Sequence, residues 1–467
     1  LINDAKMTRA LKIINTTKKD YANLPVIAAS TYIKSGSDDD KDFVSLADYF
    51  LESYLSNVQI YKSSICLYQI SGSQLREWLE WSASAYQTTN EATTVSSSAI
   101  QGGIMDYSQT MLQSNWNSDL SNFYVFDGLE YEIDTSVAPR YDISGNKISE
   151  SQRITSMTRN GVQIADADQF VIATNNLNAN TNNLITQIYN QKIYTAASLR
   201  WRTVVKDYLE SLSLNSTLGN VADNNWHVKT AKDSSQVVKS ALTSGTIAEK
   251  KEWITDIAAV DSEFIYYTVD MSKANTSDTT GPNIVAIPLS DELSYSDVTV
   301  MVQAHDRSGL ANLKYAKGKY TATADVWHSA TTFSTSFNCT ENGIYTILAT
   351  DTLGNRSVYY IRIQNINANT ISTPIVDTFT NRKKQVTGTA PAESTVYIKI
   401  AGGKTYSTTT KASGAFSCKI PVQKANKKLY VYAIDSAGRT SPRVTVEVSR
   451  TGPNKPTLNN IKSNSKK

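Results

Sequence analysis

The amino-acid sequence predicts a multidomain protein in which an α+β domain is followed by tandem all-β sandwiches. The chain has 467 residues, enough for about three domains of ordinary size. Residues 1–260 mix helical and strand patterns. From residue 281, short strand-like runs recur every 8–12 residues between turn-forming residues, which is typical of β-sandwiches.

The predicted domain boundaries follow this change of pattern. We expect the α+β domain over residues 1–260 and sandwiches over residues 281–366 and 373–450. The last residues, 451–467, are predicted to be a linker or the start of a further repeat, because 452-GPNKP-456 resembles the beginning of another unit.

The bulk composition argues against several classes of partner. Lys plus Arg is 46 and Asp plus Glu is 43, so the net charge of +3 does not predict binding to nucleic acid, DNA included, or to an acidic membrane surface. The mean hydropathy is −0.33, and no apolar run approaches the roughly 20 residues of a membrane helix. The three cysteines lie far apart, so neither a disulfide framework nor a zinc site is expected.

The first and last residues predict that the sequence is an excerpt of a longer polypeptide. Residue 1 is Leu, and no charged-then-apolar signal segment follows it. The sequence stops at 458-LNNIKSNSKK-467 without an anchor. We therefore expect further segments on both sides.

The α+β domain has two amphipathic helices and one hairpin signal. Apolar residues recur at helical spacing in residues 73–85, with Ser73 at the predicted N-cap position. Residues 198–212 show a second helical pattern. Strand-like alternation on both sides of Asp127 and Gly128 predicts a hairpin that turns at this pair.

Two asparagines follow an apolar strand and raise a question of function. The run from Phe170 to Ala173 predicts a buried strand, and Asn175 and Asn176 come where this strand ends. One interpretation is that they cap the strand and satisfy loop backbone groups. The other is that they form hydrogen bonds with a ligand.

The sandwich region contains an internal repeat. Residues 343–357 and 428–441 share a Tyr, an alternating strand and then Ala-x-Asp-x-x-Gly-x-x-Ser. The repeated carboxylates, Asp351 and Asp435, are interpreted as Asx turns that close hairpins, with Ca²⁺ binding as the alternative.

The sequence predicts no catalytic centre and no metal site in this chain. The three histidines, His227, His305 and His328, are far apart and are interpreted as surface or packing residues. A two-metal phosphoesterase needs several ligands in one cluster, which these residues do not supply. The acidic run 38-DDDKD-42 is interpreted as a solvated loop, with metal binding as the alternative.

Five blocks of residues between positions 1 and about 230 form a pattern that can be compared with known families. They are 24-LPVIAASTYIKSG-36, 68-YQISGSQLREWLEWSA-83, 122-NFYVFDGLEYEID-134, 153-RITSMTRNGVQIADADQFVIATNN-176, and then Arg202, Tyr208, Asn225 and Trp226. In this order the blocks resemble the C-terminal nucleotide-binding domain of the 5′-nucleotidase family. The branch they resemble is that of the bifunctional 2′,3′-cyclic-nucleotide 2′-phosphodiesterase/3′-nucleotidases.

The resemblance implies that hydrolysis and nucleoside binding belong to different domains of a longer protein. In the family, an N-terminal metallophosphoesterase domain holds a divalent metal pair and hydrolyses the ester, and this domain grips the nucleoside. The metal-site motifs are absent from this sequence, so the metal pair is expected only in a missing N-terminal domain, and this chain alone is expected to be inactive. The candidate nucleotide-binding residues are Asn122, Phe123, Asp127, Asn175 and Asn176.

Several positions depart from the family's ligand-binding pattern. Leu177 stands where the family has a tyrosine that stacks on the base, and Ser121 stands in the place of the second stacking aromatic. The segment 35-SGSDDD-40 has acids where the family has a phosphate-facing arginine. Losing two stacking faces would cost roughly 2–6 kcal/mol of base binding, so we predict a partly degenerate pocket. The aromatics that could substitute are Phe123, Tyr124 and Tyr189.

The second half has its own characteristic blocks in 375-IVDTFTNRKKQVTGTAPAESTVYIKIAGGK-404, in residues 414–416 and in residues 433–435. In these blocks it resembles the bacterial immunoglobulin-like (Ig-like) repeats of Gram-positive surface proteins. Such repeats are spacers or adhesive stalks. The resemblance therefore implies an extracellular, secreted or wall-associated protein of a Gram-positive-type bacterium.

Together these resemblances predict the substrate-binding part of an extracellular nucleotidase or cyclic-nucleotide phosphodiesterase. Its partners would be a nucleotide or nucleoside, the missing N-terminal domain and the cell wall, with no membrane span. One alternative is a catalytically inactive surface protein that uses the same domains for adhesion or as a scaffold. Two others are an enzyme with an unusual substrate whose catalytic half lies upstream, and a simple stalk.

Overall fold

A computed structural model describes most of the chain. The described residues are 2–31, 64–88, 100–101, 104–105, 123–212, 225–229, 235–241, 254–260, 264–270, 278–367 and 369–451. They form two compact units. The first comprises Leu1–Leu289, Thr299–Phe337 and Gly343–Ile363, and the second comprises Ser290–Val298, Asn338–Asn342 and Gln364–Lys467.

The described residues contain four α-helices and 28 strands. The helices are α1 (Ile2–Thr16), α2 (Gly72–Ala83), α3 (Asn183–Asn190) and α4 (Trp201–Leu212). The strands up to residue 270 are β1 (Val26–Thr31), β2 (Ser64–Ser71), β3 (Ile100–Gln101), β4 (Ile104–Met105), β5 (Tyr124–Asp127), β6 (Glu130–Ile133), β7 (Ile154–Arg159), β8 (Val162–Gln163), β9 (Gln169–Asn175), β10 (Lys192–Arg200), β11 (Trp226–Val228), β12 (Ser235–Ala241), β13 (Ile254–Val260) and β14 (Phe264–Asp270).

The remaining strands form the sandwich region. They are β15 (Asn283–Pro288), β16 (Val298–His305), β17 (Leu310–Lys317), β18 (Thr331–Phe333), β19 (Ser336–Cys339), β20 (Gly343–Asp351), β21 (Arg356–Ile363), β22 (Ile375–Val376), β23 (Gln385–Thr389), β24 (Thr395–Ile400), β25 (Thr405–Thr409), β26 (Ala415–Lys419), β27 (Lys428–Ile434) and β28 (Val444–Glu447).

A five-stranded sheet organises the α+β domain, with the strand order β10-β2-β9-β1-β5. The strands β1 and β9 are parallel, and the other neighbours are antiparallel. Along β9, Phe170 and Ile172 pack into the core that contains α2, whereas Val171 and Ala173 pack into the core that contains α1. Because both faces of the sheet are buried, β9 is a continuous apolar run, as predicted.

The helix α2 begins two residues earlier than predicted. Its N-cap is Ser71, not Ser73, because Ser71 forms a capping box with Gln74. The Ser71 hydroxyl accepts the Gln74 N–H, and the Gln74 side chain accepts the Ser71 N–H. Gly72 then opens the helix, where a Cβ atom would lie 2.0 Å from the Ala165 carbonyl oxygen.

The predicted hairpin at Asp127 and Gly128 is wrong. The strand β5 pairs with β1 in the main sheet, whereas β6 pairs with β7 and β11 in a second sheet. Gly128 has φ +95°, and a Cβ atom there would lie 2.9 Å from the Val26 carbonyl oxygen. The glycine therefore lets the chain leave one sheet and enter another, because only a residue without a side chain fits this turn.

A buried arginine joins α2 to the second sheet. Arg153 is fully buried and donates hydrogen bonds to the carbonyl oxygens of Ala83, Tyr86 and Val137. The backbone N–H of Arg153 donates to the Glu80 carboxylate at 3.0 Å. These bonds satisfy the helix C-terminus that would otherwise be left with unpaired carbonyl groups.

The sandwich region confirms the predicted Ig-like architecture. Sheets of order β15-β16-β19 and β18-β17-β20-β21 are followed by sheets of order β22-β23-β26 and β25-β24-β27-β28. Asp435 accepts the backbone N–H of Ala437, two residues on, as the Asx-turn interpretation predicts, whereas Asp351 accepts that of Asn355, four residues on. None of the helices in the described residues has the length and apolarity that a membrane crossing needs.

The first sandwich packs directly on the α+β domain within the first unit. The Gln303 side chain donates to the Val26 carbonyl oxygen at 2.7 Å and accepts the Val26 N–H at 3.0 Å. Asn283 donates to the Asp4 carboxylate at 2.8 Å. Val285 belongs to the same hydrophobic core as the apolar residues of α1.

Candidate functional site

Five strand ends meet at one edge of the main sheet. Because β1 and β9 are parallel, both end at this edge. Thr31 at the end of β1 pairs with Tyr124 at the start of β5, and Asn175 at the end of β9 pairs with Ile65 near the start of β2. This edge is the candidate functional site, since ligands of mixed sheets commonly bind beyond the carboxyl ends of parallel strands.

Asn175 and Asn176 differ in what their side chains contact. Asn175 is half-buried, and its side chain forms no hydrogen bond within the described part of the chain. Asn176 is exposed, and its Oδ1 accepts a hydrogen bond from Lys192 Nζ at 2.7 Å and one from Cys66 Sγ at 3.6 Å. The Asn175 amide therefore retains its donors and acceptor for another partner.

The two asparagines also lie on opposite faces of the sheet. Asn176 contacts Cys66, which belongs to the core on the α2 side. Asn175 follows Val171 and Ala173 at intervals of two, so strand alternation places it on the α1 side. A single ligand has to lie across the end of the sheet to contact both amides.

Lys192 places a cation beside this edge. Its Nζ lies 4.1 Å from the centroid of the Tyr189 ring and 5.6 Å from that of the Tyr68 ring. Both rings attract the ammonium group through their negative faces. The Tyr68 hydroxyl also accepts the Leu177 N–H at 3.0 Å. Tyr68 therefore contacts both the Lys192 ammonium group and the segment that follows β9.

The position of the family's stacking tyrosine is part of the core. Leu177 is 4 % exposed and packs in the core on the α2 side. Its side chain therefore fills the interior and does not line an open pocket. The backbone turns inward immediately after the exposed Asn176.

The alternative aromatic residues occupy separate places. Tyr124 packs edge-on against Trp78 at 4.9 Å between ring centroids, and burial raises the pKa of Tyr124 to about 12, so it is a core residue. Phe123 packs against Tyr86, on the β5 side of the sheet. Tyr189 lies on the β10 side, near Lys192. Three to four strand spacings of roughly 5 Å separate these sides, so Phe123 and Tyr189 do not face one base together.

Asp127 lies away from the edge and faces a buried lysine. It pairs with Ala28 inside the sheet. Lys6 of α1 is 3 % exposed, and its Nζ donates to the Ala29 carbonyl oxygen and to Ser30 Oγ. Burial lowers the pKa of Lys6 to about 7, although the Asp127 charge opposes this shift. Asp127 therefore balances a buried ammonium group.

Some of the sequence candidates lie outside the described residues. These are Asn122, Ser121 and the acidic run 38–42. The structure brings Asn175, Asn176 and Lys192 together at the edge. Phe123 lies at the β5 end of the same edge, away from Lys192, and Asp127 lies within the sheet. Lys6 and Lys192 were missed by sequence reasoning, because a single lysine in a helix or after one has no pattern that distinguishes it from a surface residue.

The histidines of the described residues do not form a cluster. His227 Nε2 lies 3.0 Å from Glu132 Oε2, and burial lowers the pKa of this histidine. His305 is buried, and His328 is exposed with its Nδ1 at 3.0 Å from the Asp325 carbonyl oxygen.

Three carboxylates converge in the first unit instead. Asp278, Asp306 and Asp351 bring oxygen atoms within 4.8 Å of one another, a spacing that could accommodate a cation. Burial, together with the charges of the other two carboxylates, raises the pKa of Asp306. Like charges held this close favour a shared proton when no cation is bound.

The family comparisons agree with this architecture. Residues 21–189 match the family model of the 5′-nucleotidase C-terminal domain, and residues 372–449 match that of the bacterial Ig domain. The chain thus carries a 5′-nucleotidase C-terminal domain and a bacterial Ig domain, which confirms the resemblance to these two domain families.

Individual relatives are nucleotide phosphoesterases. The trifunctional nucleotide phosphoesterase protein YfkN of Bacillus subtilis is 25% identical over 56% of this chain and 16% of its own length. The 2′,3′-cyclic-nucleotide 2′-phosphodiesterase/3′-nucleotidase of Yersinia enterocolitica is 30% identical over 45% of this chain and 31% of its own length. The enzyme of the same name from Haemophilus influenzae is 26% identical over 56% of this chain and 41% of its own length. The chain spans less than half the length of each of these relatives.

Proposed function

We propose that this chain is the nucleotide-binding part of an extracellular bacterial nucleotide phosphoesterase that acts on 3′-nucleotides or 2′,3′-cyclic nucleotides. The metal-dependent chemistry would belong to an N-terminal domain outside this sequence. The proposal is supported by the family match over residues 21–189 and by the names of the relatives. The structural observation that carries it is the Asn175 amide at the sheet edge, whose side chain forms no hydrogen bond with the described residues.

The chemistry of the edge suits a nucleotide. An amide supplies both donors and an acceptor, which matches the mixed hydrogen-bonding pattern of a base or ribose. Lys192 supplies a point charge for a phosphate group, the role for which the segment at residues 35–40 offers only acids. A nucleotide lying across the end of the sheet would direct its nucleoside toward Asn175 and its phosphate toward Lys192.

Calorimetric titration of the full chain with adenosine, 3′-AMP and 2′,3′-cyclic AMP tests this proposal. We expect micromolar binding of the phosphorylated ligands. Asn175→Ala should lower the affinity for each of the three ligands by about tenfold, which is the effect of losing roughly 1.4 kcal/mol of hydrogen bonding. Lys192→Gln should weaken only the phosphorylated ligands.

The matched control lies on the same strand. Gln169→Ala changes an exposed amide at the opposite end of β9, so ligand affinity should not change. Absence of heat at millimolar ligand, or equal weakening by Gln169→Ala and Asn175→Ala, would contradict the proposed site. The chain alone should hydrolyse none of the ligands when divalent metal ions are added.

A second candidate function is that of an inactive surface protein that uses these domains as a scaffold or adhesive module. The buried side chain of Leu177 favours it, because the position no longer offers a ring to a base. The same titration separates the two candidates. A scaffold would bind none of the three ligands while remaining folded.

A further inference from the structure

Charge is distributed unevenly along the chain. Residues 1–371 carry 29 Lys and Arg against 39 Asp and Glu, whereas residues 372–467 carry 17 against 4. The overall net charge of +3 conceals this division. The C-terminal Ig-like domain and the residues after it are therefore a strongly basic segment, which favours an anionic partner.

A groove on the β22-β23-β26 side of this domain concentrates part of the charge. Its volume is ≈ 810 Å³. The lining residues are Lys383, Lys384, Gln385, Thr387, Lys419, Ile420 and Pro421. The Asp377 carboxylate lies beside the groove, where it accepts a hydrogen bond from Thr387, but none of the three lysines pairs with a carboxylate among the described residues.

Strand pairing brings these lysines together. Lys384 comes immediately before β23, and Lys419 is the last residue of β26. The antiparallel register places Gln385 opposite Lys419, and the Ile420 N–H donates to the Lys384 carbonyl oxygen at 3.0 Å. Lys383 Nζ donates to the Thr378 carbonyl oxygen at 2.7 Å, which fixes this side chain and leaves its other protons available.

The residues that line the groove include no aromatic side chain. Tyr397 and Tyr432, which stack on each other with ring centroids 5.2 Å apart, belong to the opposite sheet of the domain. The groove would therefore recognise a partner through its charged backbone and not by stacking on its bases.

We propose that the groove of Lys383, Lys384 and Lys419 binds the phosphate backbone of single-stranded RNA. Ammonium groups act as point charges for phosphate oxygens, and the Gln385 amide offers hydrogen bonds to ribose hydroxyl groups. The Thr387 hydroxyl already donates to the Asp377 carboxylate at 2.6 Å and can only accept a further hydrogen bond. RNA is chosen over other polyanions because this inference rests on the proposed function. A 2′,3′-cyclic nucleotide forms when a ribose 2′-hydroxyl attacks the adjacent phosphodiester and the 5′-oxygen of the next nucleotide leaves. This scission is open to RNA and not to DNA, so strand scission of RNA is the class of reaction that would supply the substrate.

Fluorescence anisotropy of the full chain with a labelled 20-nucleotide uridine oligomer tests the proposal. Dissociation constants are measured from 50 to 200 mM NaCl. The variant Lys383→Gln/Lys384→Gln/Lys419→Gln should reduce the slope of log K against log salt by about 2, since each phosphate contact contributes roughly 0.7.

The control variant is Lys399→Gln/Lys404→Gln/Lys428→Gln. It removes the same charge from exposed positions on the opposite sheet and should leave the slope unchanged. An equal reduction of the slope in both variants would show diffuse charge attraction. It would overturn the proposal that RNA binds in the groove. Absence of RNA binding at 50 mM NaCl, or equally tight binding of poly-L-glutamate of matched charge, would overturn RNA as the partner.

Nucleotide titration of the groove variant separates this inference from the proposed function. We expect its 3′-AMP affinity to equal that of the unmodified chain. Retained 3′-AMP binding without RNA binding by the unmodified chain would overturn only the groove. RNA binding without nucleotide binding would overturn the proposed function and, with it, the reason for choosing RNA.

Discussion

Replacing Lys6 by Met should change how the stability of the α+β domain depends on pH. The Lys6 ammonium group is held by the Ala29 carbonyl oxygen and Ser30 Oγ, in a core beside Asp127. Methionine has a similar length and no charge. The substitution therefore removes one titrating group and two hydrogen bonds while keeping most of the buried volume.

The magnitude follows from the pKa of Lys6, which burial lowers from 10.5 to about 7. Between these values the unfolded chain binds a proton that the folded chain lacks, so the free energy of unfolding rises with pH across this window. The slope approaches 1.4 kcal/mol per pH unit, and the whole window is worth about 5 kcal/mol. Below pH 7 Lys6 is protonated in both the folded and the unfolded chain. The free energy of unfolding is then about 5 kcal/mol lower than above pH 10.5, because the folded chain carries a buried charge.

The assay is urea denaturation from pH 6 to pH 10, followed by tryptophan fluorescence, because Trp78 and Trp81 lie in the core of this domain. We expect Lys6→Met to be the more stable protein at pH 6 and the less stable one at pH 10. Lys19→Met, at an exposed position, is the control. A stability difference between Lys6→Met and the unmodified chain that does not vary from pH 7 to pH 10 would refute the reasoning.

Three further substitutions test packing and charge. Asp306→Asn should raise the free energy of unfolding by about 1 kcal/mol at pH 7 in thermal denaturation, because the amide still accepts from Ser308 and removes one of three like charges. Its advantage should disappear in acid, where the raised pKa of Asp306 lets the carboxyl group take up a proton first. Arg153→Met should cost about 3–5 kcal/mol, since several buried carbonyl groups lose their donor; a loss below 1 kcal/mol in urea denaturation would contradict this. Leu177→Tyr should cost about 1–3 kcal/mol through overpacking and gain no affinity for 3′-AMP in calorimetry.

Local patterns predicted the elements whose causes are local. The β9 run and the helix at residues 73–85 follow from periodicity, and both are present. The cap was misplaced because two serines flank Gly72, and only the Gln74 side chain decides between them. That signal was in the sequence, since Ser71 and Gln74 have capping-box spacing.

Non-local pairing explains the larger error. Asp127 and Gly128 have the local chemistry of a hairpin, but β5 finds its partner in β1, nearly a hundred residues earlier. Nothing in the residues around Gly128 distinguishes a turn within a sheet from a passage between sheets. The same holds for Lys192, whose contact with Asn176 depends on how β10 is placed beside β2.

The amide of Gln303 has a consequence for the modularity of the chain. It caps both polar backbone groups of Val26, as a neighbouring strand would, although it comes from the sandwich. The stretch matched by the nucleotidase family model ends at residue 189, well before this contact. A recombination event that moved only that stretch into another gene would leave a buried peptide group unpaired. We therefore expect the α+β domain to need its first sandwich for full stability.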